Sequence, residues 1–367
     1  MLHGLDDVAR AELARTAPAF LEALGSGDLD GDGAPDFDRP FALRVAISTA
    51  DLGDDCEDRP HALVERDGSR AVIVSDPTAI DPAAIDEVVA RLNDARSECS
   101  LGQPLEALRR ALELPFDGVV EPNSRLVVVF ASPHDDCSIP HNPSADPSHV
   151  VGCTAVERAD VAEYARRFTA ENELHVLTLT GLPTDLDGLS RPLEGESVLA
   201  RTDLSERLDG DVLVPSCTRG ELQATPPRRW LAWSDALVEH GVFGQHASLC
   251  ATDLAPAFEA FAARIARHDT ADCIHSAPGP LGPDGLLPCE AIDDSEDCAE
   301  REDRVVTELG CAIPQVGPGE SGGWYFESPD DALEGSDLAW ICPHGWSRLV
   351  GARHEATRLV CASGCME

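Results

Sequence analysis

The segment RLVVVFA at Arg125–Ala131, together with HVLTLTGL at 175–182, decides the fold of this chain. Both are nearly unbroken apolar runs, the pattern of strands buried on both faces of a sheet. Shorter strand patterns lie at 41–49 and 71–75, and the polar segment between them allows a hairpin. Helical periodicity alternates with the strands at 5–24, 82–96, 102–114, 156–170, 227–240 and 252–265. This alternation predicts an α/β domain with a mostly parallel sheet flanked by helices.

The composition changes after about residue 269. Seven of the 13 cysteines and three of the five tryptophans follow this point, among many Pro and Gly residues. We therefore expect two domains, an α/β domain over 1–269 and a small disulfide-stapled module of short strands and loops over 270–367.

The charge balance excludes several function classes. The 28 basic residues, all of them arginine, face 67 acidic ones, which gives a formal charge of −39. Nucleic acids and anionic membranes require a basic surface, so neither is an expected partner. Without lysine the chain cannot form a Schiff base or a phosphate-binding loop of the NTPase type. The acidic surface suits a salty medium or cation binding, and a skewed genomic composition would produce it equally well.

The cysteines indicate the cellular compartment. None belongs to a C-x-x-C pair, and they are spread singly near loop signals. This pattern is typical of a disulfide framework, and so of an extracellular or cell-envelope protein. The first residues lack a signal peptide, and no stretch of about 20 apolar residues could span a membrane.

An acidic loop at 28–36, DLDGDGAPD, predicts a calcium site. Its carboxylates stand at positions 1, 3, 5 and 9 and its glycine at position 6, so that alternate side chains converge on one hard cation. The expected Ca²⁺ ligands are Asp28, Asp30, Asp32 and Asp36. The alternative is a plain acidic turn, which would leave carboxylates repelling one another at close range.

A polar loop with His134, Asp135, Asp136 and Cys137 follows the strand at 125–131. Ligand sites of parallel sheets lie at this end of the strands. A zinc site from His134, Asp135 and His141 is one interpretation. The favoured one is a polar surface loop fixed by a Cys137–Cys153 disulfide.

The segment 319–323, GESGG, matches the G-x-S-x-G pattern around Ser321. A nucleophile elbow needs a strand before the serine and a helix after it. Here a Pro/Gly-rich loop precedes the motif and an aromatic stretch follows it, so a turn is the favoured interpretation.

Several blocks together resemble the exported von Willebrand factor A-like proteins of myxobacteria and their relatives. The resemblance covers roughly 5–270, and its order and spacing are more specific than any one block. The blocks are the acidic loop, ISTADLG at 47–53, CSLGQPLEAL at 99–108, HDDCS at 134–138, and 226–230 leading to SLC at 248–250.

The resemblance implies a doubly wound sheet that carries a metal-ion-dependent adhesion site for Mg²⁺ and a partner's carboxylate. The first strand and its Asp-x-Ser-x-Ser motif are missing here, so we expect the gene to begin upstream, where the export signal would also lie. Pro133 stands where the family has its metal-binding Asp. The expected remnant of the site is therefore degenerate, and Mg²⁺ is expected only in a longer chain. Its residues are Ser100, Ser132, His134, Asp135 and Asp136.

The resemblance also implies disulfide pairings. They are Cys56–Cys99, Cys137–Cys153 and Cys217–Cys250, followed by three among the tail cysteines with Cys365 left over.

The favoured function is a non-catalytic, exported binding or adhesion protein whose protein or surface partner is unidentified. The alternatives are a secreted hydrolase that uses Ser321 or a metal in the His134 loop, and a purely structural cell-envelope protein.

Overall fold

The structure is a computed structural model. It describes residues 2, 4–29, 31, 33, 43–50, 52, 63–64, 69–75, 79–95, 102–113, 125–138, 160–169, 173–186, 188–189, 193, 198, 200–205, 207–209, 212–269, 271–273, 289–293, 305–307, 310–316, 324–327, 346–349 and 357–361. The chain divides into two compact units, 1–263 and 264–367. The predicted domain boundary after residue 269 lies at the end of the helix in which this division falls.

The centre of the first unit is a parallel sheet of three strands, in the order β3, β4, β9. They are β3 (Arg125–Ala131), β4 (Glu173–Thr180) and β9 (Gly244–Ser248). Arg125 pairs with Glu173 at one end of the β3–β4 ladder and Ala131 with Leu179 at the other. The two apolar runs are therefore adjacent parallel strands, which confirms the predicted parallel sheet in an α/β unit.

Helices flank this sheet and connect its strands. They are α1 (Asp7–Ser26), α2 (Pro82–Asp94), α3 (Pro104–Glu113), α4 (Val161–Thr169), α5 (Arg228–Val238) and α6 (Ala255–Asp269). The start of α1 is capped by Asp6, whose carboxylate accepts a hydrogen bond of 2.7 Å from the Ala9 N–H. Gly27 ends the helix in the left-handed conformation that favours glycine.

One core lies between the sheet and helices α3, α4 and α5. Phe130 of β3 packs against Trp230 and Trp233 of α5, with ring centroids 4.8 and 5.4 Å away. Phe168 of α4 meets Trp233 edge to face. All four rings are almost fully buried, and each contributes a large apolar area. These rings hold α4 and α5 against β3, whose carboxyl end carries the loop described below.

A two-stranded antiparallel sheet accompanies the parallel one. Its strands are β1 (Leu43–Ala46) and β2 (Ala71–Ser75), the two segments predicted as a hairpin. Leu2 forms a bridge to Thr49 on one side and to Ala131 on the other, parallel to both. Two short hairpins complete the described strands of this unit: β5 (Leu208–Asp209) with β6 (Val212–Leu213), and β7 (Cys217–Arg219) with β8 (Leu222–Ala224).

In the part of the second unit that the structure describes, there are two small antiparallel sheets. One has the strand order β10, β15, β14, and the other β12, β13, β11, β16. Their strands are β10 (Ala271–Cys273), β11 (Cys289–Asp293), β12 (Val305–Thr307), β13 (Gly310–Ile313), β14 (Trp324–Glu327), β15 (Trp346–Leu349) and β16 (Thr357–Cys361). No strand of the second unit exceeds five residues in the described ranges.

Cys217 and Cys250 form a disulfide with a Cα–Cα distance of 6.1 Å, one of the pairings implied by the resemblance. Cys137 is also disulfide-bonded. Cys56, Cys99, Cys153 and Cys365 lie outside the described residues.

Among the helices that the structure describes, none has the length and apolar character needed to cross a bilayer.

Candidate functional site

The loop 132–138 follows the carboxyl end of β3, where parallel sheets place ligand sites. The Ser132 hydroxyl donates to the His134 carbonyl at 2.8 Å and accepts from the His134 N–H at 3.1 Å. This local pairing turns the chain at Pro133 and directs the next residues toward the helices. We call this segment the 132–138 loop.

Asp135 lies against the start of helix α5. Its two carboxylate oxygens both accept from the Arg229 N–H at 3.0 Å, and one of them also accepts from the Asp136 N–H at 3.0 Å. Arg229 is the second residue of α5, so its N–H has no partner within the helix. Burial raises the pKa of Asp135 to about 7. This carboxyl group therefore caps α5 from a distant part of the chain.

Asp136 performs the same function for helix α3. One carboxylate oxygen accepts from the Leu105 N–H at 3.2 Å and from the Ser138 hydroxyl at 2.6 Å. The other accepts from the Arg229 guanidinium at 3.1 and 3.2 Å and from the Ser138 N–H at 3.2 Å. Burial raises the pKa of Asp136, and the charge of Arg229 opposes that rise. The side chain is fully buried and has a partner at both oxygens.

The network continues to a second buried acid. Ser138 accepts from the Glu106 N–H at 3.0 Å, and the Tyr164 hydroxyl donates to the Glu106 carboxylate at 3.0 Å. Arg109 and Arg110 donate to the same carboxylate at 2.6 and 3.0 Å. Burial acts to raise the pKa of Glu106, but these arginine hydrogen bonds lower it below its ordinary value. The network therefore joins α3 and α4 to the 132–138 loop.

The far side of the loop is in close contact with the start of the chain. Gly4 has a φ of +60°, and a Cβ atom there would lie 3.0 Å from the His134 ring and 3.5 Å from Pro133. The Pro133 carbonyl accepts a hydrogen bond of 2.7 Å from the Thr225 N–H. Partial desolvation by these neighbours lowers the pKa of His134, although the residue as a whole is exposed. A side chain at position 4 would crowd this ring, and the positive φ there would strain any residue other than glycine.

The structure thus brings together four of the five residues predicted for the degenerate adhesion site. Ser132, His134, Asp135 and Asp136 share one loop, whereas Ser100 lies outside the described residues. His141 of the zinc interpretation and Ser321 of the hydrolase interpretation also lie outside them. Within the described ranges, no group of three or more His, Cys, Asp or Glu side chains is arranged to hold a metal ion.

The set of partners around the two aspartates does not fit a resident Mg²⁺ ion. Magnesium needs carboxylate oxygens with free lone pairs in near-octahedral geometry. Asp135 already binds two backbone N–H groups, and Asp136 is paired with the cationic Arg229. A divalent cation at this position would have to displace the Arg229 guanidinium, which is only 12% exposed, from the fully buried Asp136, and this is costly.

The predicted calcium loop is described only in part. Both carboxylate oxygens of Asp28 accept backbone hydrogen bonds, from the Gly31 N–H at 2.7 Å and the Gly33 N–H at 2.9 Å. Both glycines have positive φ, the conformation needed for a sharp turn. Asp30, Asp32 and Asp36 lie outside the described residues, so Ca²⁺ binding stays a prediction.

The sequence analysis did not predict that Arg229 pairs with Asp136, nor that the two aspartates cap the starts of α3 and α5. A signal was present, because two adjacent carboxylates after a buried strand need a cation or amide donors nearby. Arg228 and Arg229 open a helix that the periodicity had already identified. The sequence could not show that these residues are in contact, because Arg229 lies 93 residues from Asp136 along the chain.

A separate buried polar group lies on β9. The His246 ring is almost fully buried, and its Nδ1 atom lies 2.5 Å from the Thr178 hydroxyl. Its Nε2 atom has no hydrogen-bond partner among the residues that the structure describes. Burial lowers the pKa of His246 to about 4. A charged imidazolium at this position would lie in the apolar interior without an acceptor for its second N–H.

We expect His246 to make the first unit sensitive to acid. The unfolded state binds a proton near pH 6.5 and the folded state only near pH 4, so stability is lost as the pH falls through this window. The full loss is about 3 kcal/mol. The contribution of Asp135 to the pH dependence of stability has the opposite sign, because its raised pKa adds stability as the pH falls below about 7.

Comparing the wild type with the variant His246→Asn separates the contribution of His246 from that of Asp135. The asparagine keeps a polar atom near Thr178. Urea unfolding at pH 7.5 and 4.5 measures the pH-dependent loss in each protein. The wild type should lose about 2–3 kcal/mol more than the variant over this range. Two results together would contradict this role of His246. The first is an equal loss of unfolding free energy in the wild type and the variant, and the second is an ordinary imidazole pKa for His246 by NMR.

Comparisons of the chain with known protein families, with curated proteins and with solved structures find no match.

Proposed function

We propose that the protein is a non-catalytic, exported binding protein of the adhesion type, with a structural calcium loop. The observation that carries this proposal is the use of Asp135 and Asp136 as caps for helices α5 and α3. These two carboxylates lie where a parallel sheet would present catalytic or metal-binding groups. Their role in holding two helices favours a rigid frame for recognition loops over a reaction centre.

The chemistry of the 132–138 loop supports this conclusion. A general acid or base must present a free lone pair or proton to a bound substrate. Asp136 directs both of its oxygens to protein donors, and Asp135 faces the start of α5. His134 is exposed, and its ring lies beside Gly4. Recognition in a protein of this construction would use loops at the surface that the rigid frame positions.

The family assignment is part of the proposal. We infer that 1–269 is a von Willebrand factor A-like domain whose adhesion site is degenerate or truncated. A parallel sheet with helices and a carboxylate loop after the strand β3 are consistent with it, as are the sequence blocks. The cysteine content favours export to the extracellular space or cell envelope.

The acidic surface limits the class of partner. A formal charge of −39 repels polyanions, so a protein or a neutral or cationic surface ligand is favoured. Calcium would fix the connection from α1 to β1 and neutralise part of the charge of the 28–36 loop. Binding should therefore weaken when Ca²⁺ is removed.

Bead adhesion tests this function directly. Beads coated with the full chain are applied to envelope preparations and to cationic, neutral and anionic model surfaces, in Ca²⁺ or in EGTA. We expect saturable adhesion in Ca²⁺ to at least one non-anionic surface, with a loss of tenfold or more in EGTA or in Asp28→Asn. Asp185→Asn, which alters an exposed ion pair with Arg201, is the matched control and should adhere like the wild type.

The opposing result is enzymatic. Turnover of an ester, peptide or glycoside probe by the purified chain would support the hydrolase alternative if it disappeared in Ser321→Ala or His134→Ala. The proposed function would be overturned by such turnover if adhesion were also independent of Ca²⁺ and did not saturate on any of the surfaces tested.

A further inference from the structure

Three buried polar side chains occupy neighbouring positions on one face of the parallel sheet. They are Thr178 and Thr180 of β4 and His246 of β9, and each is at most 1% exposed. Thr178 pairs with His246 across the β4–β9 ladder, and residues two apart in a strand point to the same face. Val176, the preceding residue on this face of β4, belongs to the core that contains Trp230 of α5. The three polar groups therefore lie on the side of the sheet that carries α5.

The contacts of Thr178 indicate which nitrogen of the His246 ring carries the proton. The Thr178 hydroxyl lies 3.2 Å from the Gln245 carbonyl, which can only accept, and 2.5 Å from Nδ1 of His246. A hydroxyl group has a single proton to donate. Both contacts are therefore hydrogen bonds at once only if Thr178 donates to the carbonyl and Nδ1–H donates to Thr178. In this tautomer, Nε2 is unprotonated and presents a lone pair.

Two complementary polar atoms are left without a hydrogen bond at this place. Nε2 of His246 and Oγ1 of Thr180 are both buried, and neither has a hydrogen-bond partner among the described residues. Nε2 requires a donor, and the Thr180 hydroxyl can donate a proton as well as accept one. Buried polar atoms in folded proteins are nearly always bonded to protein or to ordered water, because leaving them unpaired is costly.

We propose that these two atoms form a binding site for one buried water, which donates to Nε2 of His246 and accepts from the Thr180 hydroxyl. Water supplies both functions and joins partners up to about 5.5 Å apart. Buried waters typically connect polar groups that the protein leaves unpaired. The bound water links β4 to β9 and so stiffens the sheet that carries the 132–138 loop. This inference does not depend on the proposed binding function.

The water site also favours the neutral form of the His246 ring. Protonation converts Nε2 into a donor, and the bound water already directs a donor toward it. The water would then have to turn and give up its bond from Thr180, or leave. The site is therefore consistent with the acid sensitivity expected of His246.

NMR of the wild type tests the site without any substitution. At pH 7.5, the ¹⁵N shifts of the His246 ring should be those of a protonated Nδ1 and an unprotonated Nε2. The ring C–H protons beside Nε2 should show a nuclear Overhauser effect to a long-lived water. A ring protonated at Nε2, or the absence of this water signal in the folded protein, would overturn the proposal.

The variant Thr180→Val removes the hydroxyl and keeps the shape of the side chain. Because Nε2 loses the water that donates to it, we expect the equilibrium constant for unfolding in urea to rise about fivefold. The water signal at His246 should disappear in this variant and persist in Thr180→Ser, which keeps a hydroxyl. Thr218→Val, at an exposed position of β7, is the matched control and should change the constant by about twofold or less.

The sign of the effect of Thr180→Val distinguishes a water site from an unpaired hydroxyl. If the Thr180 hydroxyl had no partner at all, an apolar group of the same shape would lower the equilibrium constant for unfolding. A lower or unchanged constant in the folded variant would therefore contradict the proposal. A water signal at His246 that persists in Thr180→Val would also contradict it, because Thr180 would not be part of the site.

Discussion

Replacing Asp136 with alanine will lower the free energy of unfolding of the first unit by about 3–5 kcal/mol. The substitution leaves the Arg229 guanidinium buried without its carboxylate and removes the acceptor of the Leu105 N–H. It also removes the partner of the Ser138 hydroxyl. Urea unfolding followed by circular dichroism measures the effect.

Two further variants separate the ion pair from the general effect of a substitution. Asp185→Ala removes an exposed carboxylate beside Arg201 and should leave the unfolding midpoint nearly unchanged. Combining Asp136→Ala with Arg229→Met should cost less than the sum of the single variants, because no unpaired charge remains. A loss below 1 kcal/mol in Asp136→Ala would show that the carboxylate is not part of the structural frame.

Removal of the Cys217–Cys250 disulfide should cost about 3–4 kcal/mol. The bridge closes a loop with a sequence separation of 33 and attaches β7 to the turn after β9. Its loss increases the conformational entropy of the unfolded chain. The double variant Cys217→Ala/Cys250→Ala, compared with the oxidised wild type in urea, measures this contribution.

The single variant Cys217→Ser serves as the control for the bridge. It breaks the same bond and should lose nearly as much stability as the double variant, apart from the effect of the remaining thiol. If the oxidised wild type and the double variant unfold at the same urea concentration, the bridge contributes no stability.

The parallel sheet could be predicted from the sequence because its strands are long and apolar. Arg125–Ala131 and 175–182 have compositions that are rare outside buried strands, and the structure pairs them over seven residues. Helix α1 could be predicted for a similar reason, since its apolar stripe is regular, but its end was predicted at Gly25, whereas the helix continues to Ser26 and Gly27 ends it. These features depend on local sequence alone.

The site could be predicted only in part. The sequence identified the carboxylates of the 132–138 loop, but not that Arg229 and Leu105 would bind them. Both partners are distant in the sequence, and neither periodicity nor motif spacing reports such contacts. The role of Leu2 was missed because a single bridging residue leaves no pattern in the sequence.

Calorimetric titration with Ca²⁺ and Mg²⁺ decides whether the acidic loop binds a cation while Asp135 and Asp136 serve only as helix caps. The variants are Asp28→Asn in the acidic loop and Asp135→Asn in the 132–138 loop, each checked for folding by circular dichroism. We expect Ca²⁺ binding that Asp28→Asn removes and Asp135→Asn retains, with no Mg²⁺ binding that depends on Asp135. Cation binding lost in folded Asp135→Asn but kept in Asp28→Asn would instead place a working metal centre in the 132–138 loop and would contradict the structural role of Asp135.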